Sequence, residues 1–122
     1  MTAAGNDNRI DYIEFAVADI ARARHFYGEA FGWSFTDFGP DYCEFKDGRV
    51  SGGFTSLGAV RTGGSHAGGP LIILYAADLA ATQARLEKLG ARIVKPIYSF
   101  PGGRRFHFTD PDGYELAVWS AA

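Results

Sequence analysis

His107 and Glu115 flank the turn sequence Asp110-Pro111-Asp112-Gly113, so a hairpin there sets an imidazole and a carboxylate on neighbouring strands. A nearby carboxylate favours the charged form of a histidine, a pairing used by general acid–base groups and by ligand anchors. The same two residues also suit a cross-strand pair that only steadies its hairpin. Arg105 lies two positions before His107 and shares its side of an extended strand. Glu14 falls on a strand that should be central to its half, where a carboxylate needs a partner. That partner is either a ligand or an ion pair with Arg104 or Arg105. Tyr42 and Glu44 take the places of Arg105 and His107 in the first half of the chain. Tyr12, Tyr42, Tyr75 and Trp119 offer flat faces to a planar ligand, or else pack as ordinary sheet-surface or dimer-contact aromatics.

These residues make a candidate ligand-binding set of Tyr12, Glu14, Tyr42, Glu44, Tyr75, Arg105, His107, Glu115 and Trp119. Its candidate acid–base members are His107, Glu115 and Glu14. Histidine with carboxylates also suits zinc, iron or manganese, so a metal on Glu14, Glu44, His107 and Glu115 is the lesser alternative to a metal-free, cofactor-free site. Other residues of chemical type carry less. His25 belongs on a helix facing solvent, and His66 in a connector. Cys43 should alternate inward with Phe45, as a small buried apolar residue. Gly102-Gly103 lacks the strand-to-helix setting of a phosphate loop and is expected as a simple turn.

The elements that position these residues follow from periodicity. Ile13, Phe15 and Val17 alternate with Tyr12, Glu14 and Ala16, the pattern of a half-buried strand. Asp19 then stands where a helix N-cap belongs, Ile20, Ala23, Phe26, Tyr27, Ala30 and Phe31 follow at helical spacing, and Gly32 ends the run. Strands are expected over residues 33–38, 41–46 and 51–56, the last two joined at Asp47-Gly48. The second half repeats the order: a strand over 70–77, Asp78 as N-cap, a helix ending at Gly90, then strands over 91–96, 104–109 and 114–120. Aligning Asp19 with Asp78 places Tyr12 on Leu71, Glu14 on Ile73 and Phe15 on Leu74, while Glu44-Phe45 falls on His107-Phe108. Both halves therefore read β-α-β-β-β. In the closing pair, Phe106, Phe108, Leu116 and Val118 should face the helices, and Arg105, His107, Glu115, Ala117 and Trp119 the opposite side. The Gly-rich stretch 61–69 is a connector between modules 9–58 and 69–120.

Residues Asp11-Tyr12-Ile13-Glu14-Phe15-Ala16-Val17-Ala18-Asp19, with Phe26-Tyr27 and Phe31-Gly32-Trp33 after them, resemble the opening of a vicinal-oxygen-chelate domain, of the glyoxalase, bleomycin-resistance and dioxygenase group. Phe108-Thr109-Asp110-Pro111-Asp112-Gly113-Tyr114-Glu115-Leu116 resembles its closing strand pair, and the likeness spans residues 9–120. The resemblance implies an α+β fold in which two βαβββ modules form a concave, cleft-enclosing mixed sheet with helices on the outer face. It also implies a homodimer. Members with chemistry hold a divalent metal on His, Gln or Glu side chains, where it acts as a Lewis acid. Carried onto this chain, those positions are Tyr12, Leu71, Ala117 and the neighbourhood of Gly52-Gly53. Leu, Ala and Gly carry no donor atom. The resemblance therefore implies a small-molecule-binding, sequestering or resistance-type member without the usual chelate. The alternative is a glyoxalase-like lyase, isomerase or dioxygenase with a relocated metal or a His107/Glu115 acid–base pair. A structural or regulatory interaction domain is the third class.

Composition bounds the rest. A chain of 122 residues with a 47% hydrophobic fraction fits one domain. Its net charge of −2, with Arg104-Arg105 the only adjacent basic pair, argues against nucleic acid. One cysteine excludes an internal disulfide and suits a reducing compartment. The polar first nine residues and the absence of a long apolar run lead to the expectation of a cytoplasmic protein that does not engage a membrane.

Overall fold

The computed structural model describes residues 7–60 and 68–122. The connector 61–69 falls outside this range except for its last two residues, and His66 lies outside the described residues with it. The chain divides into two compact units, Met1–Val60 and Arg61–Ala122. Each is a four-stranded mixed sheet with one helix, an α+β architecture.

In the first module β1 (Tyr12–Ala16) leads to α1 (Ile20–Phe31), then to β2 (Ser34–Asp37), β3 (Tyr42–Lys46) and β4 (Ser51–Thr55). The sheet order is β1-β4-β3-β2, with β1 parallel to β4 and the other pairs antiparallel. The helix begins because the Asp19 carboxylate accepts the Arg22 amide at 3.1 Å, and ends at Gly32, whose φ of 72° is left-handed. Its inner face, Ala23, Phe26, Tyr27 and Ala30, is buried, as are Phe15, Phe45 and Phe54 of the strands. The core is a stack of rings. Tyr27 lies 4.6 Å from Trp33 with planes 12° apart, and Trp33 lies 4.5 Å from Phe45. Such pairs add about 0.5–1.5 kcal/mol each beyond simple burial.

The second module repeats the order with β5 (Ile72–Tyr75), α2 (Leu79–Lys88), β6 (Arg92–Phe100), β7 (Gly103–Thr109) and β8 (Glu115–Ser120). Its sheet runs β5-β8-β7-β6, again with the first pair parallel. Asp78 caps α2 by accepting the Ala81 amide at 3.0 Å. Leu79 and Leu86 of the helix and Phe106, Phe108, Leu116 and Val118 of the strands form its core, each at 2% exposure or less. The closing turn is tied by Asp110, whose Oδ1 accepts the Asp112 and Tyr114 amides at 3.0 and 2.9 Å.

The repeat seen in the sequence is matched strand for strand. Gly53 stands between Glu14 and Glu44 in the first sheet, and Ala117 stands between Ile73 and His107 in the second. Several strand ends fall one or two residues inside the expected ranges, as in β5, expected over 70–77 and found at Ile72–Tyr75. β6 does not stop at Pro96 but continues to Phe100, because the ladder shifts register between Lys95 and Tyr98 and accommodates the proline there. The turn after it is Pro101-Gly102, since Gly103 already pairs with Phe100.

Candidate functional site

In each module the strand face opposite the core residues carries the candidate side chains. In the first, Glu14, Gly53, Glu44 and Thr36 form one transverse row across β1, β4, β3 and β2. The glycine leaves a vacancy in the middle of that row, and two hydroxyls lean over it. Tyr12 Oη and Tyr42 Oη are 2.7 Å apart, and Tyr42 donates to Glu14 Oε1 at 2.9 Å. A Cβ on Gly53 would lie 2.0 Å from Tyr42 Oη and 2.8 Å from Tyr12 Oη. Since Tyr42 gives its proton to the carboxylate, Tyr12 donates to Tyr42. Burial, followed by the hydrogen bonds to Tyr12 and Glu14, pushes the Tyr42 hydroxyl well above its ordinary 10.0 and keeps it protonated. Glu14 thus takes a tyrosine of its own module as its partner. Arg104 donates to the Ala122 carbonyl, and Arg105 to Tyr98. Glu44 is half-buried and lines the same face, its carboxylate making no hydrogen bond among the described residues.

The second module holds two rows of its own. Tyr75, Trp119, Arg105 and Tyr98 are in register across β5, β8, β7 and β6, and Ile73, Ala117, His107 and Lys95 form the row beside them. Glu115 pairs with Thr109 on the ladder, so it reaches His107 on the diagonal, Oε2 to Nδ1 at 2.7 Å. The other ring nitrogen, Nε2, lies 3.0 Å from Tyr98 Oη, and Arg105 Nε donates to that same oxygen. An arginine only donates and an ionised carboxylate only accepts. Arg105 thus donates to Tyr98 Oη, and the two ring nitrogens of His107 join Tyr98 to Glu115, with the direction of the Tyr98–His107 bond set by the protonation of the ring. His107 and Glu115 are 4% and 7% exposed. Both are thus enclosed although they lie on the strand face opposite the helices. Tyr75 and Trp119 meet edge to face at 5.2 Å.

Tyr98 and Lys95 were not among the candidates from sequence. Both lie beside Pro96, where a strand is expected to end, and the register shift there breaks the simple alternation that would have placed them on this face. A readable signal was present in Tyr98 and Phe100, which stand two apart just before Pro101-Gly102. Cys43 is fully buried, with its thiol pushed up from 9.0 mainly by desolvation, as suits a packing residue. His25 is exposed on α1, on the rim of a surface pocket of about 540 Å³ that also involves Arg24, Phe35 and Asp37.

Residues 9–118 match the Glyoxalase/Bleomycin resistance protein/Dioxygenase superfamily. The chain belongs to that superfamily. Solved structures of similar fold include a glyoxalase-related enzyme from Fulvimarina pelagi at 18% identity, covering 93% of this chain and 88% of that one with a TM-score of 0.76. Lactoylglutathione lyase from Agrobacterium tumefaciens is 20% identical, covers 93% of each chain and has a TM-score of 0.71. A genomically encoded fosfomycin resistance protein from Listeria monocytogenes, solved with Mn(II) and a dihydroxypropylphosphonic acid, is 15% identical over 94% of this chain and 91% of its own, with a TM-score of 0.79. At these identities the likeness is one of fold. No significant match was found among curated proteins.

Glyoxalase-superfamily members with chemistry hold a divalent metal, and the residues here do not fit one at the corresponding positions. Ala117 and Gly53 have no donor atom in their side chains, and the space over Gly53 is taken by two tyrosine hydroxyls. Leu71 brings no donor, and the Tyr12 hydroxyl is engaged with Tyr42. Among the described residues no group of three or more His, Cys, Asp or Glu is placed to hold a metal ion. No helix among them is long and apolar enough to cross a membrane.

Proposed function

We propose that this glyoxalase-superfamily chain is a binding protein for a small organic molecule, of the sequestering or resistance type, working without a resident metal or other cofactor and as a homodimer in the cytoplasm. The observation that carries the reading is the pair Gly53 and Ala117 at the middle of the two equivalent rows, positions where donor side chains would be needed. Around them stand aromatic rings and hydrogen-bonding groups suited to orienting a ligand: Tyr12, Glu14, Tyr42 and Glu44 in one module, and Tyr75, Arg105, His107, Glu115 and Trp119 in the other. Elemental analysis of protein purified without chelators tests this. Less than about one tenth of an equivalent of zinc, iron, nickel or manganese is expected of a site without donor side chains at those two positions. A full equivalent overturns the reading. Sedimentation at micromolar concentration tests the dimer, which a mass of 13.2 kDa contradicts.

A second reading is favoured by one specific observation, the hydrogen-bond chain from Arg105 through Tyr98 and His107 to Glu115. A buried carboxylate that fixes an imidazole, which in turn meets a half-buried hydroxyl, is an arrangement able to move a proton without a metal. In this reading the protein is a metal-independent lyase or isomerase in which Tyr98 faces the substrate. Loss of turnover in both Tyr98→Phe and His107→Gln, with metal content unchanged, supports it. Turnover that survives both variants removes it.

A further inference from the structure

We infer that the transverse row Tyr75–Trp119–Arg105–Tyr98 is a subsite for an aromatic carboxylate, a flat apolar body joined to a single anionic group. This rests on the small-molecule-binding reading and names the ligand class. The row crosses all four strands of the second module on one face. Arg105 is its charged member, and its guanidinium is fixed before any ligand arrives. Nε donates to Tyr98, and the guanidinium carbon lies 5.5 Å from the Tyr98 ring centroid and 5.6 Å from that of Phe100. Among the described residues no carboxylate lies within ion-pairing distance of Arg105, and its two terminal nitrogens make no hydrogen bond. Those nitrogens present the parallel donor pair that a carboxylate accepts in two-point fashion.

A second cation stands beside Arg105 on this face. Lys95, in the adjoining row, holds its ammonium 5.0 Å from the Tyr98 ring centroid and is likewise without a carboxylate among the described residues. Glu115, the acid on this face, is turned to His107. An anion near Arg105 therefore meets two cations, and a cationic ligand meets the same two as a repulsive pair. The flat component follows from Trp119, directly beside Arg105 on β8, and Tyr75, which is 58% exposed and meets Trp119 edge to face. A ring lying over Trp119 buries apolar area while its carboxylate reaches the guanidinium one strand away, about 5 Å across the sheet. Pre-positioning of the arginine lowers the ordering cost that such a contact otherwise carries.

Calorimetric titration of the full chain with naphthoate, naphthalenemethanol and naphthylmethylammonium tests the inference. Naphthoate should bind about ten-fold or more tighter than the alcohol, as a charge-assisted two-point contact supplies, and the ammonium should bind weakest. Arg105→Gln should narrow the carboxylate-to-alcohol ratio to about three-fold or less. Arg105→Lys, which keeps the charge but loses the planar fork, should fall between. Trp119→Leu should weaken acid and alcohol together. Thermal unfolding of each variant separates lost binding from lost folding. Equal affinity for acid and alcohol would leave the protein a small-molecule binder but overturn the anionic class. An Arg105→Gln protein that keeps its preference overturns the assignment to this row, and a chain that binds no naphthoate overturns the inference outright.

Discussion

Tyr98 and His107 meet across the β6–β7 ladder at 3.0 Å although neither is the other's backbone partner. Tyr98 is in register with Arg105, and His107 with Lys95. The register shift in β6 makes this possible, because it returns Tyr98 to the face that Lys95 already occupies. The imidazole is thereby held at both nitrogens, by Tyr98 on one side and Glu115 on the other.

That restraint sets an order of stability across β7. Phe106→Ala and Phe108→Ala should each cost about 3–5 kcal/mol, since both rings are fully buried and leave cavities. His107→Ala should cost about 1–3 kcal/mol, because it removes a hydrogen bond between two buried side chains. Arg105→Ala should cost about 1 kcal/mol or less, as a half-buried residue with one neutral partner. Denaturant unfolding of the four variants side by side checks the order. Arginine above either phenylalanine would place the wrong face of the strand toward the core.

The glycines of β4 should differ in what they tolerate. At Gly52 a Cβ would meet the Ile13 carbonyl oxygen at 2.2 Å, so Gly52→Ala must move backbone. At Gly53 the obstacles are the side chains of Tyr42 and Tyr12. Both changes overfill their sites, at about 1–3 kcal/mol, and Gly52→Ala should be the worse. Adding Tyr42→Ala should relieve part of the cost of Gly53→Ala and none of the cost of Gly52→Ala. Thermal melts of the singles and doubles decide it.

Asp110→Ala should cost about 1–3 kcal/mol by stripping two amides of their acceptor in the turn before β8. Asp110→Asn keeps an acceptor oxygen at Oδ1 and should recover most of that loss. Urea unfolding midpoints of the two variants provide the comparison.

Tyr42 gives a pH dependence with a definite sign. Its folded-state value lies above the ordinary 10.0, so the stabilisation is complete below that pH, where both folded and unfolded states hold the proton. As pH rises past 10.0 the unfolded chain releases its proton first, and stability falls until the folded protein releases it too. Alkaline unfolding followed by tyrosinate absorbance should show this slope, and Tyr42→Phe should flatten it. An unchanged slope in the variant would assign the effect to other groups. Cys43, shifted upward in the same sense by burial, should resist thiol reagents until the chain unfolds.

Much of this was legible in the chain itself. Asp19 and Asp78 announce the two helices because a capping carboxylate must precede the first free amides, and both do so here. The phase of β7 and β8 follows from alternation alone, since Phe106, Phe108, Leu116 and Val118 have no polar atom to satisfy on the other side. The match of Glu14 to Ile73 and of Glu44 to His107 follows from the repeat and is reproduced in the ladders. Tyr98 was hidden because period-two reasoning assumes an unbroken ladder, and a proline ordinarily marks its end. The tyrosine partner of Glu14 was hidden for another reason. The vacancy at Gly53 that draws Tyr12 and Tyr42 together depends on three strands at once, which no local pattern encodes.

The break in β6 also bears on how the protein behaves in a crowded solution. β6 closes one side of its module's own sheet, where unbonded amides and carbonyls would otherwise invite another chain to add a strand. Pro96 supplies no amide there, the register shifts on either side of it disrupt a straight template, and Arg92 and Lys95 add like charges along the same strand. The irregularity that brings Tyr98 to the histidine thus also guards the margin of the sheet against self-association into fibrils. Smoothing it with Pro96→Val would trade that protection for a longer, stickier margin.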